Sequence, residues 1–135
     1  MSASLSSERG QSLVEFALVV PILLLLVFGI AEFGRAWMTQ NILTGAAREA
    51  VRLAAVNIPY GGYVNAVTRA NTVLDNAGLL PPPSRNVDVN IPDPEYSDVT
   101  ATVTYDFPLV IVGFIPGLDN TVIRLSSKTT MRKEY

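Results

Sequence analysis

Residues 16–31 read FALVVPILLLLVFGIA and carry no charge; reaching back to Leu13 adds only Glu15. A bilayer span needs about 20 predominantly apolar residues, so residues 13–31 are long enough to cross the hydrocarbon with a small mismatch. A cleaved secretory signal is the rival reading. Its apolar region runs to only about 7–15 residues and ends in a small-residue cleavage site. Here the run passes directly into Glu32-Phe33-Gly34-Arg35-Ala36-Trp37, which keeps helical character. The spacing therefore predicts a transmembrane helix, assigned to residues 11–36.

Beyond Trp37 the pattern changes without a break. Leu43, Ala46, Ala47, Ala50, Val51 and Ala54 recur at spacings of three and four, while Gln40, Thr44, Arg48 and Arg52 fall mainly off that stripe. A single helix from about residue 11 to 56 is expected, apolar all round in its first half and amphipathic in its second. Gly34 and Gly45 are the points where it would break, each costing about 1 kcal/mol relative to Ala.

The cluster Asn57-Ile58-Pro59-Tyr60-Gly61-Gly62 ends this helix. A second helix is expected over about residues 63–77, with Ala66, Val67, Ala70, Val73, Leu74 and Ala77 inward and Gly78 as its stop. Pro81-Pro82-Pro83 reads as a stiff extended connector, with a groove-binding ligand as the rarer alternative. The period then switches to two. Val87, Val89 and Ile91 alternate with Asp88 and Asn90, and Pro92-Asp93-Pro94 marks a turn. Val99, Ala101, Val103, Tyr105 and Phe107 then alternate with Thr100, Thr102, Thr104 and Asp106. A last strand, about residues 121–131, sets Ile123, Leu125 and Met131 on one face and Arg124, Lys128 and Arg132 on the other. The expected fold is α+β: a long N-terminal helix, a short second helix and an antiparallel sheet of about three strands, in a head over residues 37–135. Residues 108–117, apolar but bracketed by Pro and Gly, are either a loop folded on the core or an exposed patch for a neighbouring subunit or the membrane surface.

Composition narrows the chemistry. With no His and no Cys, the usual zinc sites, thiol nucleophiles, disulfides and His-based proton relays are excluded. A formal charge of -2 argues against a nucleic-acid partner, which would show a basic stripe. No G-x-S-x-G or S-x-x-K organises the remaining Ser, Asp, Glu, Lys and Tyr, so no enzyme and no cofactor are expected. A sensory or ligand-binding extracytoplasmic domain on a single-pass anchor remains the alternative, although no polar cluster suggests a small-molecule pocket.

The N-terminal spacing is the most informative. Arg9-Gly10-Gln11-Ser12-Leu13-Val14-Glu15-Phe16 runs into the apolar helix, and Ser12-x-x-Glu15 fits a capping box, in which each side chain satisfies a backbone amide at a helix start. An ionised Glu bordering hydrocarbon costs on the order of 2.5–3.5 kcal/mol at full depth, and such residues mark function by default.

The run RGQSLVEFALVVPILLLLVFGIAEFGRAW, the later N-x-L-T-G-A-A-R-E-A-V-R-L-A stretch and the closing T-T-M-R-K-E resemble the TadE-like proteins, minor pseudopilins of tight-adherence (Tad/Flp) pilus systems related to type IV pilins. The resemblance is specific over about residues 9–56. It implies cleavage after Gly10 by a prepilin-type peptidase, which removes a leader of residues 1–10 and makes Gln11 the new N-terminus. It also implies assembly through Glu15, Phe16 and Pro21. The partners it implies are the membrane, that peptidase, other pilin subunits and the Tad assembly machinery, with the head outside the cytoplasm. The leader departs from a strongly basic one, because Glu8 stands beside its single Arg9. Pro21 removes one helical hydrogen bond and loosens the helix there; prolines are also simply tolerated in membrane helices.

Overall fold

The computed structural model describes residues 4–56, 62–92, 98–111 and 121–133. Helix α1 is Ser4–Val56, unbroken through Gly34 and Gly45; α2 is Gly62–Asn76. Three strands follow: β1 (Arg85–Asn90), β2 (Asp98–Pro108) and β3 (Val122–Arg132). They form one antiparallel sheet in the order β1-β2-β3. This is the expected α+β architecture. The chain divides into two compact units, residues 1–35 and 36–135, and the second is called the head below.

The head's core follows the two periodicities. The expected stripe of α1, Leu43, Ala46, Ala47, Ala50, Val51 and Ala54, is wholly buried, and so are Ala66, Ala70 and Leu74 of α2. Against them lie Val87 and Val89 of β1 and Val99, Ala101, Val103, Tyr105 and Phe107 of β2. Small residues on the helices let backbones approach closely, and the larger residues of β2, the central strand, fill the space opposite. Arg48 and Arg52 are exposed. Gln40 and Thr44 are half-buried because they anchor β3: Gln40 Nε2 donates to Ser126 O at 2.8 Å, and Thr44 Oγ1 lies 3.0 Å from Ser127 Oγ.

Helix α2 ends as its sequence predicts. Gly78 has φ 72°. Its N–H donates to Asp75 O at 2.9 Å, and Leu79 N–H donates to Leu74 O at 3.1 Å. That pair of bonds is a Schellman motif, which needs a left-handed residue at the position glycine occupies.

Four expectations require correction. Ala77 is exposed rather than inward, because the helix has already ended at Asn76. The three prolines do not form an extended spacer: the Pro82-Pro83 peptide is cis, and Ser84 N–H donates to Pro81 O at 3.2 Å, closing a turn that returns the chain into β1. On β3 the parity of the core face is as expected, but Ile123 and Met131 are exposed and Ser127 is the buried residue. An edge strand has a neighbour on one side only, so its ends outrun their cover. Finally, α1 begins at Ser4 instead of near Gln11, which places Ser12 and Glu15 inside the helix, where no capping box exists. The turn at residues 57–61, the Asp93-Pro94 pair and residues 112–117 of the apolar loop lie outside the described residues.

Candidate functional site

In the first unit the apolar run is an exposed helix surface among the described residues. Leu13, Val14, Phe16, Leu18, Ile22 and Leu25 are each more than 60% exposed. Soluble monomers rarely expose contiguous apolar patches beyond a few hundred Å², so this surface belongs against lipid or other helices. Among the described residues α1 is the helix long and apolar enough to cross a membrane. It has the length and composition of a single-pass anchor.

The residues singled out from the sequence lie along the start of this surface. Gly10 sits within α1, with open space where a side chain would project. Gln11 Nε2 donates to Glu15 Oε1 at 3.3 Å, one turn on, so the carboxylate's partner is a side-chain amide and not a helix-end N–H. Glu15 and Phe16 are both exposed. Pro21 lies inside the helix, where its ring nitrogen donates nothing and the Ala17 carbonyl loses its usual partner four residues on. Gly10, Gln11, Glu15 and Phe16 thus fall within two turns, and Pro21 follows about one and a half turns later.

Sequence reasoning missed the pair that closes the apolar run. Arg35 Nη1 donates to Glu32 Oε2 at 2.7 Å across one turn, so the first two charges after the span neutralise each other locally. The signal was the opposite charges at i and i+3.

The head offers no comparable chemistry. Among the described residues no group of three or more His, Cys, Asp or Glu stands close enough to hold a metal ion. A shallow polar depression on the outer sheet face, lined by Asn86, Thr104, Asp106 and Arg124 with the proline turn, has its charges already joined. Arg124 Nε donates to Asp106 Oδ1 at 2.8 Å and Nη2 to Oδ2 at 3.3 Å. The hydrogen bond from Arg124 holds the Asp106 carboxyl below its ordinary value; partial desolvation opposes this and the guanidinium charge adds to it.

Comparison with known proteins agrees with the helix. Residues 10–52 match the family model described as TadE-like protein. The match begins at Gly10 and ends inside α1, so the similarity to TadE-like proteins read over residues 9–56 recurs over residues 10–52, within the long helix. No curated protein and no solved structure matches the chain.

Proposed function

From this TadE-like helix, which points to a protein associated with the Tad pilus system, we propose that the chain is a minor pseudopilin. It is processed by a prepilin-type peptidase and takes part in priming, capping or joining a Tad/Flp-type pilus used in adherence. The carrying observation is the exposed apolar surface of α1 combined with an acid at its start. One surface serves two environments. In the membrane its side chains meet lipid; after extraction they meet the helices of other subunits. Fully burying a Leu, Val, Ile or Phe side chain is worth about 1.5–3 kcal/mol relative to water, and both environments supply that gain. The exchange between them is therefore close to balanced, which suits an assembly motor that must move the subunit from one to the other.

Processing after Gly10 fits the local chemistry of the chain there. Gly10 lowers helix stability locally by about 1 kcal/mol relative to Ala and adds no side chain to obstruct a protease. Cleavage after it creates an α-amino group at Gln11, one turn from Glu15. Within a fibre that amine on one subunit and the Glu15 carboxylate on a neighbour offset each other's desolvation. The head stays outside the cytoplasm.

The test is the mature N-terminus. Mass spectrometry of the protein purified from membranes is expected to show a chain starting at Gln11. A start beyond Ala36 marks an ordinary secreted protein and overturns this reading.

A further inference from the structure

Strand β3 is an edge of the sheet: β2 lies on one side of it and, among the described residues, no strand lies on the other. The register fixes which of its backbone groups face that open side. In an antiparallel pair, residues that exchange N–H···O bonds alternate with residues that do not, and each residue points both of its backbone groups the same way. Asp106 N–H donates to Ser84 O at 2.8 Å, so the even-numbered residues of β2 bond toward β1 and the odd-numbered ones toward β3. Their partners on β3 are odd as well, since Tyr105 stands opposite Leu125 and Ala101 opposite Thr129. The bond from Leu109 N–H to Thr121 O, at 3.2 Å, has the same parity. The even-numbered residues of β3 therefore turn their N–H and C=O groups outward. Gln40 agrees with this, because its Nε2 reaches Ser126 O from α1 at 2.8 Å.

Beyond Ser126 the edge is open. Lys128 and Thr130 are exposed, and among the described residues nothing pairs with their outward backbone groups. An unpaired run of this kind is a template for another strand. Its side chains narrow the choice. Arg124, Lys128 and Arg132 recur every four residues on the outer face of the sheet. Arg124 is held by Asp106. Lys128 stands opposite Thr102 and Arg132 opposite Asp98, and neither cation makes an ion pair among the described residues. On the inner face the same stretch presents half-buried Thr129 and Met131, 36% exposed.

A second copy's β3 would set three cations against three, and like charges facing each other across strands are destabilising. An acidic strand gains where another copy loses. We propose that the edge of β3 at Lys128 and Thr130 accepts an extended acidic segment of another protein, which continues the sheet by backbone pairing. The segment carries two carboxylates four residues apart on the face that meets Lys128 and Arg132. Four residues of strand span about 13 Å, the same repeat that separates the two cations, so both are met at once. Its alternate residues lie beside Thr129 and Met131 and are apolar. The site is built within the head alone and stands independently of any role in a pilus.

The full chain in detergent micelles is titrated with a fluorescent seven-residue peptide of valine and threonine that has glutamate at its second and sixth positions. A second peptide has lysine at those positions. A third keeps the glutamates but is N-methylated along its pairing edge. The expected result is a rise in anisotropy with the first peptide alone, together with slowed hydrogen exchange at the Lys128 and Thr130 amides. Lys128→Glu combined with Arg132→Glu is expected to weaken binding about tenfold, since each exposed pair contributes modestly. Thr130→Pro removes an outward N–H and no bond to β2, so it is expected to abolish binding with the circular dichroism unchanged. If that variant does not fold, exchange at Lys128 and Thr130 in the parent chain decides. Equal binding of the N-methylated peptide overturns strand pairing, and equal binding of the lysine peptide overturns the acidic preference. No rise in anisotropy at about 1 mM peptide overturns the site altogether. Protection of Lys128 and Thr130 that grows with protein concentration, without peptide, assigns the edge to a second copy of the chain and likewise overturns the proposal.

Discussion

Arg85 reaches from β1 to the last turn of α2, where its Nη2 donates to Asp75 Oδ1 at 2.5 Å; the arginine side chain is 4% exposed and the aspartate side chain 60%. The partners are thus unequal. Arg85 Nη1 has only a 3.4 Å bond to Leu79 O besides, and its Nε is buried without a partner. Removing Asp75 strands a buried cation, whereas removing Arg85 leaves a carboxylate that water already reaches. Asp75→Ala is expected to cost about 1–3 kcal/mol and Arg85→Met less than that, measured by urea unfolding of the detergent-solubilised chain. A larger loss for Arg85→Met would show that the ion pair is a net stabiliser of the α2–β1 joint.

The Asp106–Arg124 pair predicts a pH dependence with a definite sign. The folded state holds Asp106 below its ordinary pKa of 3.8. Its contribution is therefore present above the unfolded carboxylate's pKa and is lost as pH falls through the folded one. The hydrogen bond to Asp106 shifts Arg124 further upward, so its contribution is complete throughout the ordinary range. Asp106→Asn is expected to flatten the stability profile below about pH 4 and to lower stability slightly at neutrality, since exposed pairs contribute little. High salt should produce the same small loss in the parent protein. An unchanged acid limb in Asp106→Asn assigns the acid transition to another carboxylate.

Gly78 tests the helix stop without a packing change. A Cβ there meets nothing within 4 Å, yet φ is +72°. Gly78→Ala is therefore expected to cost about 1–2 kcal/mol from backbone conformation alone. Thermal unfolding followed by circular dichroism reads it, and a neutral result would mean the turn relaxes to another cap.

Glu15 separates assembly from helix stability. It accepts from Gln11 and caps nothing in the unprocessed chain, so its charge is available to a neighbouring subunit. Glu15→Gln keeps a hydrogen-bonding side chain and removes the charge. It is expected to abolish incorporation into pili while the protein remains in the membrane and is still cleaved; Ser12→Ala is expected to assemble. Immunoblotting of sheared pili against membranes measures both. Normal assembly of Glu15→Gln together with failure of Ser12→Ala would make the region a helix cap after processing, and the charge-pair mechanism would be wrong.

Periodicity and local chemistry made most of this architecture legible. The stripe from Leu43 to Ala54 is buried as spaced, the odd-numbered face of β2 is the core face, and Gly78 stops α2, because each is dictated by helical or strand repeat or by one residue's φ. The candidate assembly residues were legible in the same way, since a long uncharged run with one acid at its start is visible in any linear reading. What periodicity assigns is a face, and only the tertiary structure decides whether that face is covered. Ile123 and Met131 have the correct parity and are exposed toward the two ends of an edge strand, while Ser127 is buried with Thr44 beside it. Arg85, charged at the first position of a strand, was unreadable as a core residue until α2 brought Asp75 and the Leu79 carbonyl to it. The turn at the prolines was equally hidden, since the Ser84 N–H to Pro81 carbonyl bond that closes it is not signalled by a run of three prolines. Local sequence determines the conformation each segment prefers; contact between segments distant along the chain determines which of its surfaces remain open.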